Sequence, residues 1–553
     1  MGKKIKLGLL SLVVIAGVTL TSAVSDNYFE ISKNLDIFAN VYKQLNIYYV
    51  EDTKPGELMK TGIDAMLKSL DPYTVYYPES DIEDYRFMTT GEYGGIGSLI
   101  RKNGEFIMVA EPYEGFPAYK SELYAGDIIL EIDGKDAKNK NTSEISQMLK
   151  GQANTKVSLL IDRNGEQLTK ELTRETIKIK DVPYFGEVAP GIGYIRLTGF
   201  TETASKELSQ AFKALKSENK MEKFILDLRG NGGGLLNEAV NIVNFFVERG
   251  QEVVHTKGKL KEWDRSHKAL NSPMDLDIPM VVLIDGGSAS ASEIVSGALQ
   301  DLDRAVIIGE RSFGKGLVQQ TKPISYNSQM KVTVAKYYIP SGRCIQELDY
   351  GKKEGGKATS KADSLASTFY TKNKRPVIDG HGIFPDIEVE LPEGAHVTAS
   401  LIQNNHIFDF ATQYFYAHDS IEAPKNFSVN EGVYEEFVAF LDGKEYSYET
   451  NSERLLEKLK EAAKEEKYID RFEPSIKAIE DELNNNDKKD LEIHKEEISA
   501  VLENEIVSRY YYQNGRIENN LARDIRIEEA VKVLNNDSLY TSVLNPRVPE
   551  KTK

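Results

Sequence analysis

Two short segments of this 553-residue chain hold side chains of the types that carry out acyl transfer. In the first, Val281-Val282-Leu283-Ile284-Asp285 reads as a buried strand. It runs into Gly286-Gly287-Ser288-Ala289-Ser290-Ala291-Ser292-Glu293-Ile294, where a helix begins. Backbone N–H groups at a helix start have no partner within the helix, and the dipole favours negative charge there. The junction therefore suits an oxyanion hole beside a serine. Serines also gather at helix N-termini simply as caps, and on this segment alone that reading stands as the alternative. The second segment, Gly309-Glu310-Arg311-Ser312-Phe313-Gly314-Lys315-Gly316, sets a lysine between two glycines in a turn after another buried strand. A lysine serves as base to a serine only if burial lowers its pKa from about 10.4 towards neutrality. The alternative is an ordinary surface lysine. No histidine lies in either segment, so a histidine triad has no base here.

The elements that must position these residues can be read from pattern. Residues 177 to 390 alternate strand and helix: Gly193–Leu197, Phe224–Leu228, Met280–Ile284 and Ala305–Ile308 as buried strands, with helices near Ala204–Lys216, Leu235–Val247 and Ala291–Leu302. That alternation predicts an α/β layer with a partly parallel sheet. From Gly91 to Thr176 the texture is short strands divided by Gly, Asp and Asn, with one short helix from Ser143 to Lys150 capped by a residue such as Thr142. Asp26 to Leu70 carries Ile31, Leu35, Phe38, Val41, Tyr42, Leu45 and Tyr49 at helical steps, and Asp71-Pro72 ends a second helix. After Glu393 the sequence reads as charged helices, with Asn484-Asn485-Asn486-Asp487 as a linker between them.

Composition narrows the chemistry. Apolar residues are 40% and charged residues 28% of the chain, a core-forming balance. The formal charge is −17, and from residue 401 onward 20 Lys/Arg face 32 Asp/Glu, so most of the acidity is C-terminal. Nucleic acid is excluded as a partner, because neutralising phosphates needs a basic surface. The single cysteine, Cys344, rules out intramolecular disulfides and Cys-rich zinc sites, and the seven histidines show no metal-ligand spacing. No metal and no organic cofactor is expected. At the N-terminus, Lys3, Lys4 and Lys6 precede an uncharged apolar run from Leu7 to Val24, the pattern of a secretory signal peptide or a retained membrane anchor. Either places the bulk of the protein outside the cytoplasm, in a periplasmic or other extracytoplasmic compartment.

Within the strand-rich stretch, Gly94-Gly95-Ile96-Gly97-Ser98-Leu99 is followed by Pro117-Ala118, Ala125-Gly126-Asp127 and Asp133-Gly134. In these residues and their spacing the stretch resembles a PDZ domain, a module that binds the C-termini of other polypeptides by adding the peptide as a strand and receiving its carboxylate on a Gly-rich turn. The resemblance implies Gly95, Ile96 and Gly97 as the carboxylate site. Glu122 and Tyr124 depart from residues that are often small or apolar.

With both chemical segments in place, the sequence also resembles the carboxyl-terminal processing peptidases, or tail-specific proteases, which are Ser/Lys-dyad enzymes with a PDZ domain. The resemblance implies Ser290, the middle serine of S-A-S-A-S, as nucleophile, Lys315 of F-G-K-G as base and Gln319 as its support. The 25-residue interval between Ser290 and Lys315 agrees with it. Asp227-Leu228-Arg229-Gly230-Asn231-Gly232-Gly233-Gly234 matches the family's "DLRxNxGG" segment. That match implies Gly234 (Gly233 as second choice) and Ala291 as oxyanion donors. Leu70-Asp71-Pro72-Tyr73-Thr74 and Gly382-Ile383-Phe384-Pro385-Asp386 match flanking elements, with Tyr73 replacing a common histidine.

The implied fold is a multidomain α+β and α/β protein in which a PDZ module precedes a ClpP/crotonase-like protease core. The expected regions are 1–25 signal peptide or anchor, 26–85 N-terminal helices, 86–176 PDZ domain, 177–392 serine protease core and 393–553 acidic helical extension. The expected function is an exported serine endopeptidase acting through an acyl-enzyme on proteins or peptides with free C-termini. Adaptor binding or self-association is assigned to the C-terminal helices. The rival readings are a non-catalytic peptide-binding scaffold and an apolar-ligand carrier on the same fold.

Overall fold

The computed structural model describes residues 28–218, 220–354, 357–360, 367–446, 448–483 and 487–545. The predicted signal or anchor segment and residues 484–486 of the predicted linker lie outside them; Asp487 opens a helix, Asp487–Ile493. Among the described residues no helix is long and apolar enough to cross a membrane. Contacts divide the protein into two units, residues up to Ile82 with Gln319–Thr333, and Glu83–Val318 with Val334 onward.

In the first unit a helix covers residues 28–48, and a second, Pro55–Lys68, starts on the proline that its first turn tolerates. Asp71 then folds the backbone back. Its carboxylate accepts the N–H groups of Tyr73 and Thr74, both at 2.8 Å, and the Thr74 hydroxyl at 3.0 Å. This turn aims the strand Val75–Tyr77 antiparallel along Gln329–Lys331.

The second unit begins with the strand-rich module. Six strands form its sheet, with Ser98–Asn103 at one edge, around a core that includes Ile107, Leu123, Ile129 and Leu159. Its helix Thr142–Leu149 is capped one residue earlier than predicted. Asn141, not Thr142, accepts the Glu144 N–H at 3.0 Å, while the Glu144 side chain accepts the Asn141 N–H at 2.8 Å. The reciprocal pair satisfies two of the unpartnered N–H groups that a helix start presents.

A six-stranded sheet follows in order β1 (Tyr184–Ala189), β2 (Ile192–Arg196), β3 (Lys223–Asp227), β4 (Met280–Ile284), β5 (Val306–Gly309) and β6 (Ile387–Glu388). β1 runs antiparallel to β2, and every later neighbour is parallel. β4 is buried at all five positions, as a parallel strand covered on both faces must be. Leu226, Val282 and Ile307 face α1 (Ala204–Glu218), α2 (Leu236–Asn244) and α3 (Ala291–Asp301). Ile225, Val281, Leu283 and Ile308 instead face residues near the C-terminus: Ile527, Ala530, Val533 and Leu534.

The C-terminal helices therefore complete the core rather than trail from it. α4 (His406–Ala417) and α5 (Lys495–Leu521) lie against the strand-rich module, and α6 (Ile525–Leu534) with α7 (Asp537–Leu544) closes the second face of the sheet. Tyr124, one of the module's departures, packs on Phe415 of α4 with ring centroids 5.7 Å apart. Tyr119 meets Tyr512 of α5 edge-on at 5.4 Å, and Glu111 is ion-paired to Arg516. α5 breaks at Tyr512, whose φ of 53° is non-helical.

Candidate active site

Ser290 sits where β4 turns into α3. Its φ of +57° and ψ of −110° are costly for a residue with a side chain, of the order of 1–3 kcal/mol, and persist only where the surroundings hold them. The Ser290 N–H donates to Glu293 Oε2 at 2.7 Å. Glu293 is fully buried and binds the lysine segment as well: it accepts the Lys315 N–H at 2.9 Å, the Gly314 N–H at 2.7 Å and the Ser312 hydroxyl at 2.6 Å. Burial pushes the Glu293 carboxyl upward, and the four donors pull against it.

The carbonyls of the same two residues converge on one phenol. Tyr337 Oη donates towards Lys315 O at 2.5 Å and Ser290 O at 3.0 Å. The sequence-predicted serine and lysine are thus joined through both their N–H and their C=O groups. Ser290 and Lys315 are each half-buried.

The turn after β3 lies directly beside the serine. A Cβ on Gly233, where φ is +95°, would stand 2.9 Å from Ser290 Cβ and 2.8 Å from Ala291 N, so only glycine fits this approach. The Gly233 N–H is taken by Asn231 Oδ1 at 2.9 Å. The N–H groups of Gly234 and Ala291 carry no hydrogen bond among the described residues. Asn231 fixes the turn, its side-chain amide donating to Leu197 O at 2.8 Å while its backbone carbonyl accepts the Ser292 hydroxyl at 2.8 Å.

Beneath the turn, buried Asp227 accepts from Tyr194 at 2.7 Å, Arg196 at 2.8 Å and Arg229 at 2.7 Å. Burial alone would raise this carboxyl, but the two guanidiniums outweigh it and hold the pKa at about 2. Gln319 lies in the other unit, where its amide donates to Thr333 Oγ1 at 3.2 Å.

In the strand-rich module, Gly97 has φ +72°, and a Cβ there would come within 2.6 Å of Phe116. Ile96 is buried, its carbonyl accepts the Ala118 N–H at 2.8 Å, and Gly95 pairs with Glu175. The N–H groups of Ile96 and Gly97 carry no hydrogen bond among the described residues. The edge of Ser98–Asn103 begins at this turn. A cavity of about 1200 Å³ runs from Leu99 and Phe116 of the module, past Tyr512 and Asp524 of the C-terminal helices, to Arg229 and Asp285 after β3 and β4. No group of three or more His, Cys, Asp or Glu able to hold a metal occurs among the described residues.

The model for peptidase family S41 matches residues 191–351, and that for the PDZ domain matches 108–163. A further model, "Probable PDZ-protease, C-terminal helical domain", matches residues 397–534. Over 343 residues the protein is 39% identical to a carboxy-terminal-processing protease of Bartonella bacilliformis, covering 61% of this chain and 77% of that protein. This chain belongs to peptidase family S41. Like its S41 relatives it is a serine-type peptidase with a PDZ domain. A CtpA-like serine protease of Staphylococcus aureus (strain COL) is 36% identical over 336 residues, which span 60% of this chain and 66% of that one. Among solved structures, the photosystem II D1 C-terminal processing protease is 29% identical across 64% of this chain and 92% of its own, with a TM-score of 0.35.

Three site residues escaped the sequence reading. Glu293 was signalled by its place three residues after Ser290, the spacing of a capping box. Tyr337 and Asp524 carry no local signal, since each acts on segments distant in the sequence.

Proposed function

We propose that this S41 peptidase is an exported endopeptidase that cleaves proteins presented by their C-terminal tails, with Ser290 as nucleophile and Lys315 as base. The observation that carries this reading is the joint anchoring of Ser290 and Lys315 on Glu293 and Tyr337. Lys315 Nζ takes the proton of Ser290 Oγ as that oxygen attacks the peptide carbonyl. The N–H groups of Gly234 and Ala291 hold the resulting oxyanion, as preorganised donors do in acyl transfer. The protonated lysine returns its proton to the leaving amine, and water, deprotonated by the same lysine, then releases the acyl group from Ser290.

Gly95, Ile96 and Gly97 receive the terminal carboxylate, and the preceding residues of the tail add as a strand along Ser98–Asn103. The cavity, which ends at Arg229 and Asp285 after β3 and β4, is where that tail would lie. Residues 1–25 export the protein as a signal or anchor. Leu455, Leu459 and Ile479, exposed on the helices Asn451–Glu465 and Ile469–Leu483, are the surface for an adaptor or a second copy.

The test compares cleavage of a disordered substrate with a free C-terminus and of the same substrate amidated, by wild type and by Ser290→Ala. Cleavage by wild type alone, and mainly of the free-ended form, supports the reading. Equal cleavage of both forms removes tail recognition, and cleavage by Ser290→Ala removes the nucleophile.

A further inference from the structure

We propose that Tyr337 is a positioning residue for the Ser290/Lys315 pair, its hydroxyl setting where nucleophile and base stand relative to each other. The proposal rests on the Ser/Lys reading above and adds to it a residue distant from both motifs.

Tyr337 lies near the end of the strand Gln329–Tyr338 and is 1% exposed. Its backbone N–H donates to Gly316 O at 3.0 Å, so the strand already grips the lysine segment. From there its side chain spans to the serine. A phenol has one proton to donate and two carbonyls here to receive it. The Ser290 carbonyl already accepts the Ile294 N–H at 2.9 Å, the first bond of α3. The proton therefore belongs mainly to Lys315 O, the shorter contact at 2.5 Å, with Ser290 O as the weaker arm at 3.0 Å.

Two features give this bridge leverage over chemistry. Ser290 is held in a backbone conformation it would leave if released, and rotation about its φ or ψ swings Oγ away from the turn at Gly233. Lys315 ends in a flexible run of four methylenes, so where its backbone is anchored sets how far its amine can reach. Glu293 fixes the N–H side of both residues, and Tyr337 fixes the C=O side. With one side alone each peptide unit can still pivot. A misplacement of about 1 Å between reacting groups costs roughly 10²-fold in rate.

The test is Tyr337→Phe in the full chain, which removes one oxygen and keeps the ring. The expected result is a fall of about 10- to 100-fold in kcat, with KM and the preference for a free C-terminus unchanged. Acylation of Ser290 by a β-lactone probe, followed by intact mass, should slow in parallel. A kcat and an acylation rate within about twofold of wild type overturn the proposal. So does a loss of kcat accompanied by a changed KM and a lowered Tm, which marks a general packing role. Ser290→Ala and Lys315→Ala are measured alongside. Cleavage by either breaks the Ser/Lys reading itself, whereas two inactive controls beside a fully active Tyr337→Phe sink only the positioning role.

Discussion

Arg229, in the turn after β3, forms an ion pair with Asp524 at 2.7 Å, and Asp524 also caps α6 by accepting the N–H groups of Arg526 and Ile527. One carboxylate therefore joins the glycine turn beside Ser290 to the helix that closes the far face of the sheet. Asp524→Ala should cost about 1 kcal/mol through the lost cap and more through Arg229 Nη1, which loses its carboxylate while Asp227 still holds the rest of the guanidinium. It should also lower kcat/KM severalfold, whereas Asp524→Asn should keep the cap and lose only the charge. Thermal melts and peptide cleavage on both variants distinguish the two contributions.

Glu293→Gln should be far more damaging than its size suggests. The amide presents N–H donors where N–H donors already converge from Ser290, Gly314 and Lys315. We expect at least about a 100-fold loss of kcat, by the same misplacement argument, together with a Tm lower by several degrees. A single-turnover assay beside a melt checks both.

Asp227 predicts the acid side of the stability profile. Its folded pKa of about 2 lies below the ordinary carboxylate value of about 3.9, so the native state favours the ionised form. That contribution, about 2–3 kcal/mol, is fully present above pH 4 or so and is lost as the pH falls towards 2. In Asp227→Asn the slope of stability against pH across this window should flatten. Urea unfolding at stepped pH measures it.

Gly97→Ala tests the carboxylate site without touching the serine. The substitution meets both the left-handed φ and the Phe116 side chain. The preference for a free over an amidated terminus should collapse while β-lactone acylation of Ser290 proceeds at the wild-type rate.

Val533→Asp tests the sheet cover. Val533 is fully buried against the strands, and an unpaired charge there costs several kcal/mol. The variant should lose cooperative unfolding or fail to accumulate in soluble form, although it alters nothing in the S41-matching segment.

The residues proposed to do chemistry were legible because they are local: S-A-S-A-S, F-G-K-G and the glycine turn each declare a type of backbone as well as a side chain. The sheet was legible for the same reason, through unbroken apolar runs such as Met280–Ile284. What covers its second face was not, because a helix such as Ile525–Leu534 shows by its period that it has a buried side, not what lies against it. A signal did exist. Strands apolar at every position need two covers, and α1 to α3 supply one. Tyr124 likewise reads as an oddity in a PDZ sequence until Phe415 lies against it.

The placement of α6 and α7 also governs when the enzyme can come into being. The strands β2 to β5 are complete by Gly309, yet the residues that seal them begin at Ile525, more than 200 positions later. A nascent polypeptide emerging from the ribosome carries one greasy sheet face bare for that whole interval. Assembly of the hydrolase is deferred until its final helices arrive. A prematurely terminated product is then an aggregating fragment, not a loose protease.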